Sequence, residues 1–167
     1  EVAYELRNVT DYLIVSATEV IDVGFPYTEI MPSLFQRENS ESALVDVAKK
    51  FVAYYDAQDI SRRWGTMSVL KTAEMNVLAA EMAAVVTIFA ENASGFGVTG
   101  LQQYGRAALG HDNAVFDFEA FLCKFTDNNI PATLKQQLDK VVVYKGMVEG
   151  ASLGSLTIDK NNYSGIG

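Results

Sequence analysis

A helix, a tight link, a short strand and then polar residues can be read from the first thirty positions. That succession constrains the fold more than any other feature of the chain. Glu1-Val2-Ala3-Tyr4-Glu5-Leu6-Arg7 opens the sequence, and Val2, Leu6 and Val9 fall on one helical face. Asp11-Tyr12-Leu13-Ile14-Val15-Ser16-Ala17-Thr18-Glu19 comes next. Its residues 12–17 are mostly apolar and β-prone, too short a run for a helix. Such a run reads as a strand buried on both faces, the pattern of a parallel α/β sheet. Ligands of open α/β sheets bind beyond the C-terminal ends of the strands, which draws attention to Thr18, Glu19 and Asp22. The helical pattern begins at once, with no capping residue ahead of it, so the expectation is a chain cut from something longer.

Further along, helices and strands alternate with few linkers. Val23-Gly24-Phe25-Pro26-Tyr27 is a turn, since Gly allows positive φ and Pro ends strand pairing. Residues 27–37 form at most a short helix because Pro32 interrupts them. Asn39 or Ser40 caps a helix to about Ala57, with Leu44, Val47, Ala48, Phe51 and Tyr55 on its apolar stripe. Residues 64–70 read as a strand in which Thr66 and Ser68 alternate against Met67 and Val69. A long helix from Thr72 to about Asn92 follows, with Met75, Leu78, Ala79, Met82, Val85, Val86 and Phe89 buried. Residues 100–109 are expected helical and residues 110–113 a polar turn. Asp117 caps a helix whose Phe118, Phe121, Leu122 and Phe125 are core candidates. Ile130-Pro131 opens the last helix, which runs into the β-branched Val141-Val142-Val143-Tyr144. Residues 155–158 and 164–166 are expected as closing strands.

Charge and cysteine usage exclude several functions. With a net charge of −8 the chain has no basic face for nucleic acid or anionic lipid. Its longest apolar run, residues 82–90, is too short to span a bilayer, so no membrane insertion is expected. One Cys rules out an internal disulfide framework. Cys123 and His111 could form a dyad on paper, but Cys123 sits on an apolar helix, where a thiol behaves as a small hydrophobe. The structural reading is preferred. One His and one Cys without carboxylates around them argue against zinc, no EF-hand loop or phosphate loop occurs, and no cofactor is expected. Glu19 and Asp22, beside a glycine turn, could hold a guanidinium or ammonium group. An ordinary solvated acidic loop is the competing reading.

Glu1-Val2-Ala3-Tyr4-Glu5-Leu6-Arg7, Asp11-Tyr12-Leu13-Ile14-Val15-Ser16-Ala17-Thr18-Glu19 and Gly24-Phe25-Pro26-Tyr27 together resemble the clostripain-like cysteine peptidases. Thr66-Met67-Ser68-Val69-Leu70, Phe116-Asp117-Phe118-Glu119-Ala120-Phe121-Leu122 and Tyr163-Ser164-Gly165-Ile166-Gly167 are similar to later segments of that family. The resemblance implies an α/β fold, a partial three-layer caspase-like sandwich with a mostly parallel sheet, truncated at both ends, with residues 1–167 as one partial domain. It implies a bacterial endopeptidase cleaving after Arg or Lys, secreted or held at the cell envelope, with peptide or protein substrates. The nucleophilic cysteine and the histidine would lie upstream of Glu1, in a part of the same peptidase that partners this chain. No catalytic residue is therefore expected here. Thr18, Glu19 and Asp22 would form one wall of the substrate pocket. Some family members depend on calcium, which leaves an irregular calcium site open. A non-catalytic binding module, or an inactive peptidase homologue, is the alternative reading.

Overall fold

A computed structural model describes residues 2–35, 39–105, 115–154 and 156–167. Helix α1 (Val2–Glu5) passes through a 3-10 turn, Leu6–Asn8, into strand β1 (Tyr12–Val15). Helices α2 (Tyr27–Leu34) and α3 (Ser40–Asp56) lead to strand β2 (Thr66–Lys71), and α4 (Met75–Ile88), α5 (Phe118–Phe125) and α6 (Ala132–Val141) lead to β3 (Val142–Met147). The order across the sheet is β1-β2-β3, and β4 (Ser152–Leu153) with β5 (Leu156–Thr157) makes a separate hairpin.

The fold is mixed α/β, but both strand pairings in the sheet are antiparallel, not parallel as expected. The helices between the strands explain this. A parallel crossover must return the chain to the end at which the first strand began. Here the chain goes out and back. Tyr12 at the start of β1 donates to Glu41 at the start of α3 (2.9 Å), and Tyr55 near the end of α3 donates to the Gly24 carbonyl (2.5 Å) beyond the end of β1. Helix α3 thus runs alongside β1 in the same direction, α2 has carried the chain back first, and β2 enters where β1 left. The second crossover repeats the pattern. Thr133 donates to Glu81 and Gln137 to the Glu74 carbonyl, so α6 runs opposite to α4.

Local chemistry sets the element boundaries. Asn39 caps α3 by accepting from the amides of Glu41 and Ser42. Pro32 removes one helical donor and α2 stops two residues later. Phe51 and Tyr55 of α3 pack on Met67 and Val69, while Leu70 on the other face meets Met75, Leu78, Leu134 and Leu138. Helices therefore cover both sides of the sheet.

Four further expectations change. Strand β1 is half-buried at every position, not buried on both faces, because it lies at the edge of the sheet. Val86 faces out, on the solvent side of α4, while Val85 beside it is buried. Residues 100–105 are not helical, and Gln103 instead bridges Phe116. Residues 164–166 form no strand. They lie across the sheet face, where a Cβ on Gly165 would come within 2.9 Å of Lys145 Cβ and Ser68 Oγ, and its φ is +89°. His111 and the proposed polar turn around it fall outside the described residues.

Candidate functional site

Strand β2 was expected to alternate Thr66 and Ser68 against Met67 and Val69, and residues 66–70 are buried on both faces. Their hydroxyls have partners. Ser16 Oγ lies 2.9 Å from Thr66 Oγ1, Thr18 Oγ1 lies 3.2 Å from it, and the Thr18 amide donates to it at 3.3 Å. Ser68 Oγ lies 2.9 Å from the phenol oxygen of Tyr163. Burial pushes the Tyr163 phenol up to about 12, against the opposing pull of its Ser68 and Thr66 hydrogen bonds. Among the described residues no buried side-chain nitrogen or oxygen lacks a hydrogen-bond partner, as the cost of leaving one unpaired demands.

This network fixes where the chain leaves β1. Thr18 is buried and turned into the sheet, while Glu19 and Asp22 are exposed. The Glu19 carbonyl accepts from the Trp64 indole (3.2 Å), which ties the loop after β1 to the entry of β2. Asp22 lies in a turn closed by the Gly24 amide on the Ile21 carbonyl, with Gly24 at φ +72°. Its charge, after burial and Tyr54, helps raise the Tyr55 phenol. The three expected recognition residues therefore share one anchored loop but not one direction. A cavity of about 290 Å³ opens at the end of β1, lined by Val15, Ser16, Ala17, Gly165, Ile166 and Gly167 among others, with Thr18, Glu19 and Asp22 not among its lining residues.

Asp117 is the residue whose part was underestimated. As expected it caps α5, with Oδ1 accepting from the Ala120 amide (2.9 Å). Its other oxygen takes Tyr104 Oη (2.5 Å), the Ser164 amide (2.6 Å) and Ser164 Oγ (2.7 Å). Burial, then this bond to Asp117, drives the Tyr104 phenol far above its ordinary range. A cap signal was visible in the sequence, but the partners thirteen and forty-seven positions away were not.

Cys123 is half-buried on α5 and its thiol is pushed up, first by burial and then by Glu119. A nucleophile needs the opposite. Among the described residues no three of His, Cys, Asp and Glu gather as a metal site, and no helix is long and apolar enough to cross a membrane.

The mixed α/β fold, with helices packed on its sheet, is similar to that of caspase-like cysteine proteases. The sequence pattern of the clostripain family matches residues 1–155, and the chain belongs to that family. Among solved structures it is similar to a cysteine protease from B. fragilis, at 24% identity and a TM-score of 0.80, over 96% of this chain and 69% of that one. A clostripain from Bacteroides thetaiotaomicron, in complex with the peptide inhibitor BTN-VLTK-AOMK, is 28% identical, with a TM-score of 0.76 over 99% of this chain and 70% of that one. The secreted cysteine protease iotapain from the same organism gives 28% and 0.76, and there the chain covers 99% of itself but 45% of the other. No curated protein sequence matches.

Proposed function

We propose that this chain is the C-terminal segment of a cysteine endopeptidase domain that cleaves after Arg or Lys. It supplies sheet, helical cover and one wall of the specificity pocket. The observation that supports this most is the placing of two exposed carboxylates, Glu19 and Asp22, on a loop tied down at its start by Thr18 to Thr66 and by Trp64 to the Glu19 carbonyl, and beyond Asp22 by Tyr55 donating to the Gly24 carbonyl. A held acidic loop can receive a substrate guanidinium or ammonium by charge-assisted hydrogen bonds without first ordering itself. Thr18 acts here as the anchor. The inhibitor bound to the Bacteroides thetaiotaomicron clostripain, whose peptide part VLTK ends in lysine, favours the same specificity.

The nucleophile belongs to an upstream strand of the same peptidase, and the free edge of β1 is where that strand would pair. Its thiolate attacks the scissile carbonyl, a histidine protonates the leaving amine, and backbone amides hold the oxyanion. Secretion is part of this reading, in line with the secreted relative. The test is Asp22→Asn and Glu19→Gln in the intact peptidase. Loss of a charge-assisted contact lowers kcat/KM on Arg and Lys peptides by roughly ten- to a hundredfold, about 1.5–3 kcal/mol, while alkylation of the nucleophile by a small thiol reagent keeps its rate. Full activity in both variants would move the pocket wall elsewhere.

A further inference from the structure

Asp117 carries more hydrogen bonds than a helix cap needs. It is fully buried, and a buried carboxylate is costly unless every lone pair is used. Any of Ser, Thr or Asn would accept from the Ala120 amide as well. What only a carboxylate can add is a second oxygen with no hydrogen of its own, and three donors converge on it. Two of them, the Ser164 amide and Ser164 Oγ, come from the segment that ends in Gly165, Ile166 and Gly167. The Phe118 amide donates to the Ile166 carbonyl at 3.1 Å, which adds a second tie between the start of α5 and the same segment. Residues 165–167 line the cavity at the end of β1, together with Ser16 and Ala17 just after the strand and Val2 and Ala3 of α1.

We propose that Asp117 is a positioning residue for substrate binding, clamping the 163–167 segment so that it lines the cleft together with the start of the loop after β1. This deepens the proposed peptidase reading and rests on it. The clamp works through geometry. With Tyr104, α5 and Ser164 all held on one carboxylate, the cavity wall is fixed relative to the helix and to the Thr66–Ser68 stretch of β2. Glycine at 165 lets the wall sit directly on the strands, where a side chain would push it off.

Asp117→Asn tests this, because it keeps size and the cap but offers an NH2 group, or forfeits the cap, where three donors converge. Hydroxyls can rotate away, whereas the Ser164 amide cannot. In the intact peptidase the variant should raise KM for basic peptides about tenfold, as expected for loss of a charge-assisted bond that shapes the site, with kcat within about twofold. Amide exchange at residues 163–166 should accelerate while the amides of α3 keep their protection. Ser164→Ala, a milder variant that leaves the backbone donor, should shift KM and exchange in the same direction by less. Unchanged KM in both variants overturns the proposal, as does exchange that rises equally across the molecule. If wild-type enzyme ignores basic peptides, the specificity reading has failed and not the clamp. Exchange confined to 163–166 would then support the clamp, and its absence would sink it.

Discussion

One face of the sheet carries two unlike cores. At the end where β1 begins, Leu13, Leu70 and Val142 meet Met75, Leu78, Leu134, Leu138 and Val141, all aliphatic or thioether side chains. At the end where β1 leaves, half-buried Ser16 joins the buried Thr18, Thr66, Ser68 and Tyr163 in a chain of hydroxyls. The first region is held by burial, which is non-directional and tolerates any good fit. Each member of the second must find its partner, or a desolvated polar group is left over. Direction is the gain. The hydroxyl end fixes the position of the loop after β1 and of the 163–167 segment, both of which line the cavity.

The sharpest way to break this contrast is truncation at the apolar end. Leu134 is wholly buried, and Leu134→Ala should cost about 2–5 kcal/mol through lost transfer energy and a cavity. Denaturant unfolding should show that loss while the geometry at the far end of the sheet survives. A smaller cost would mean that the helices collapse onto the gap.

Alkaline pH should act on the polar end instead. An unfolded tyrosine ionises near 10, whereas Tyr163 is raised to about 12 and Tyr104 is raised as well. The folded state therefore holds these phenols protonated more strongly than the unfolded state does. Their contribution is fully present below pH 10 and drains away as pH climbs towards 12. For Tyr163 that is about 2–3 kcal/mol. Stability measured from pH 9 to 12 should fall, and Tyr163→Phe should flatten part of the fall. An unchanged slope in that variant would remove Tyr163 from the account.

Thr66→Val comes next, at about 1–2 kcal/mol. Valine fills the space but leaves the Thr18 amide without its acceptor and Ser16 with only its longer contact to Thr18, at 3.5 Å. Amide exchange in the loop after β1 should rise more than exchange in α4. A neutral Thr66→Val would show the hydroxyl chain to be a passenger.

How far this contrast could be read ahead of the structure depended on the range of the interactions. Helix α3 was visible because Asn39 and the stripe from Val47 to Tyr55 are local signals. The same holds for Asp117 as a cap. The strand direction was not visible, since it depends on how the intervening helices carry the chain back along the sheet, and α2 is short and holds Pro32. The alternation of Thr66 and Ser68 against Met67 and Val69 gives two faces but does not say which is covered, and here both are. The clamp from Asp117 to Ser164 spans forty-seven positions, and no local pattern announces it. Glu19 and Asp22 were placed by strand logic on the loop where they stand, but Thr18 turned inward as an anchor because its amide and hydroxyl both reach Thr66.

Cys123→Ala should have the smallest effect. In the sequence the thiol sits among Phe121, Leu122, Lys124 and Phe125, and the structure leaves it half-buried beside Glu119. Burial and that carboxylate hold the proton on sulfur, with Lys135 pulling weakly the other way. A thiol in this state is a poor nucleophile at neutral pH. The Cys123 carbonyl accepts from the Asn128 amide at 2.6 Å, a contact that the substitution does not touch. Only one sulfur atom is lost, from a site partly open to solvent, and alanine suits the helix interior better than cysteine does. The cost should therefore be about 1 kcal/mol or less, and the intact peptidase should keep its turnover. Thermal unfolding and steady-state kinetics on the same preparation separate the two quantities. Turnover lost at unchanged stability would make Cys123 a reacting group after all. In that event the loop after β1 would no longer be the part of this chain nearest the chemistry.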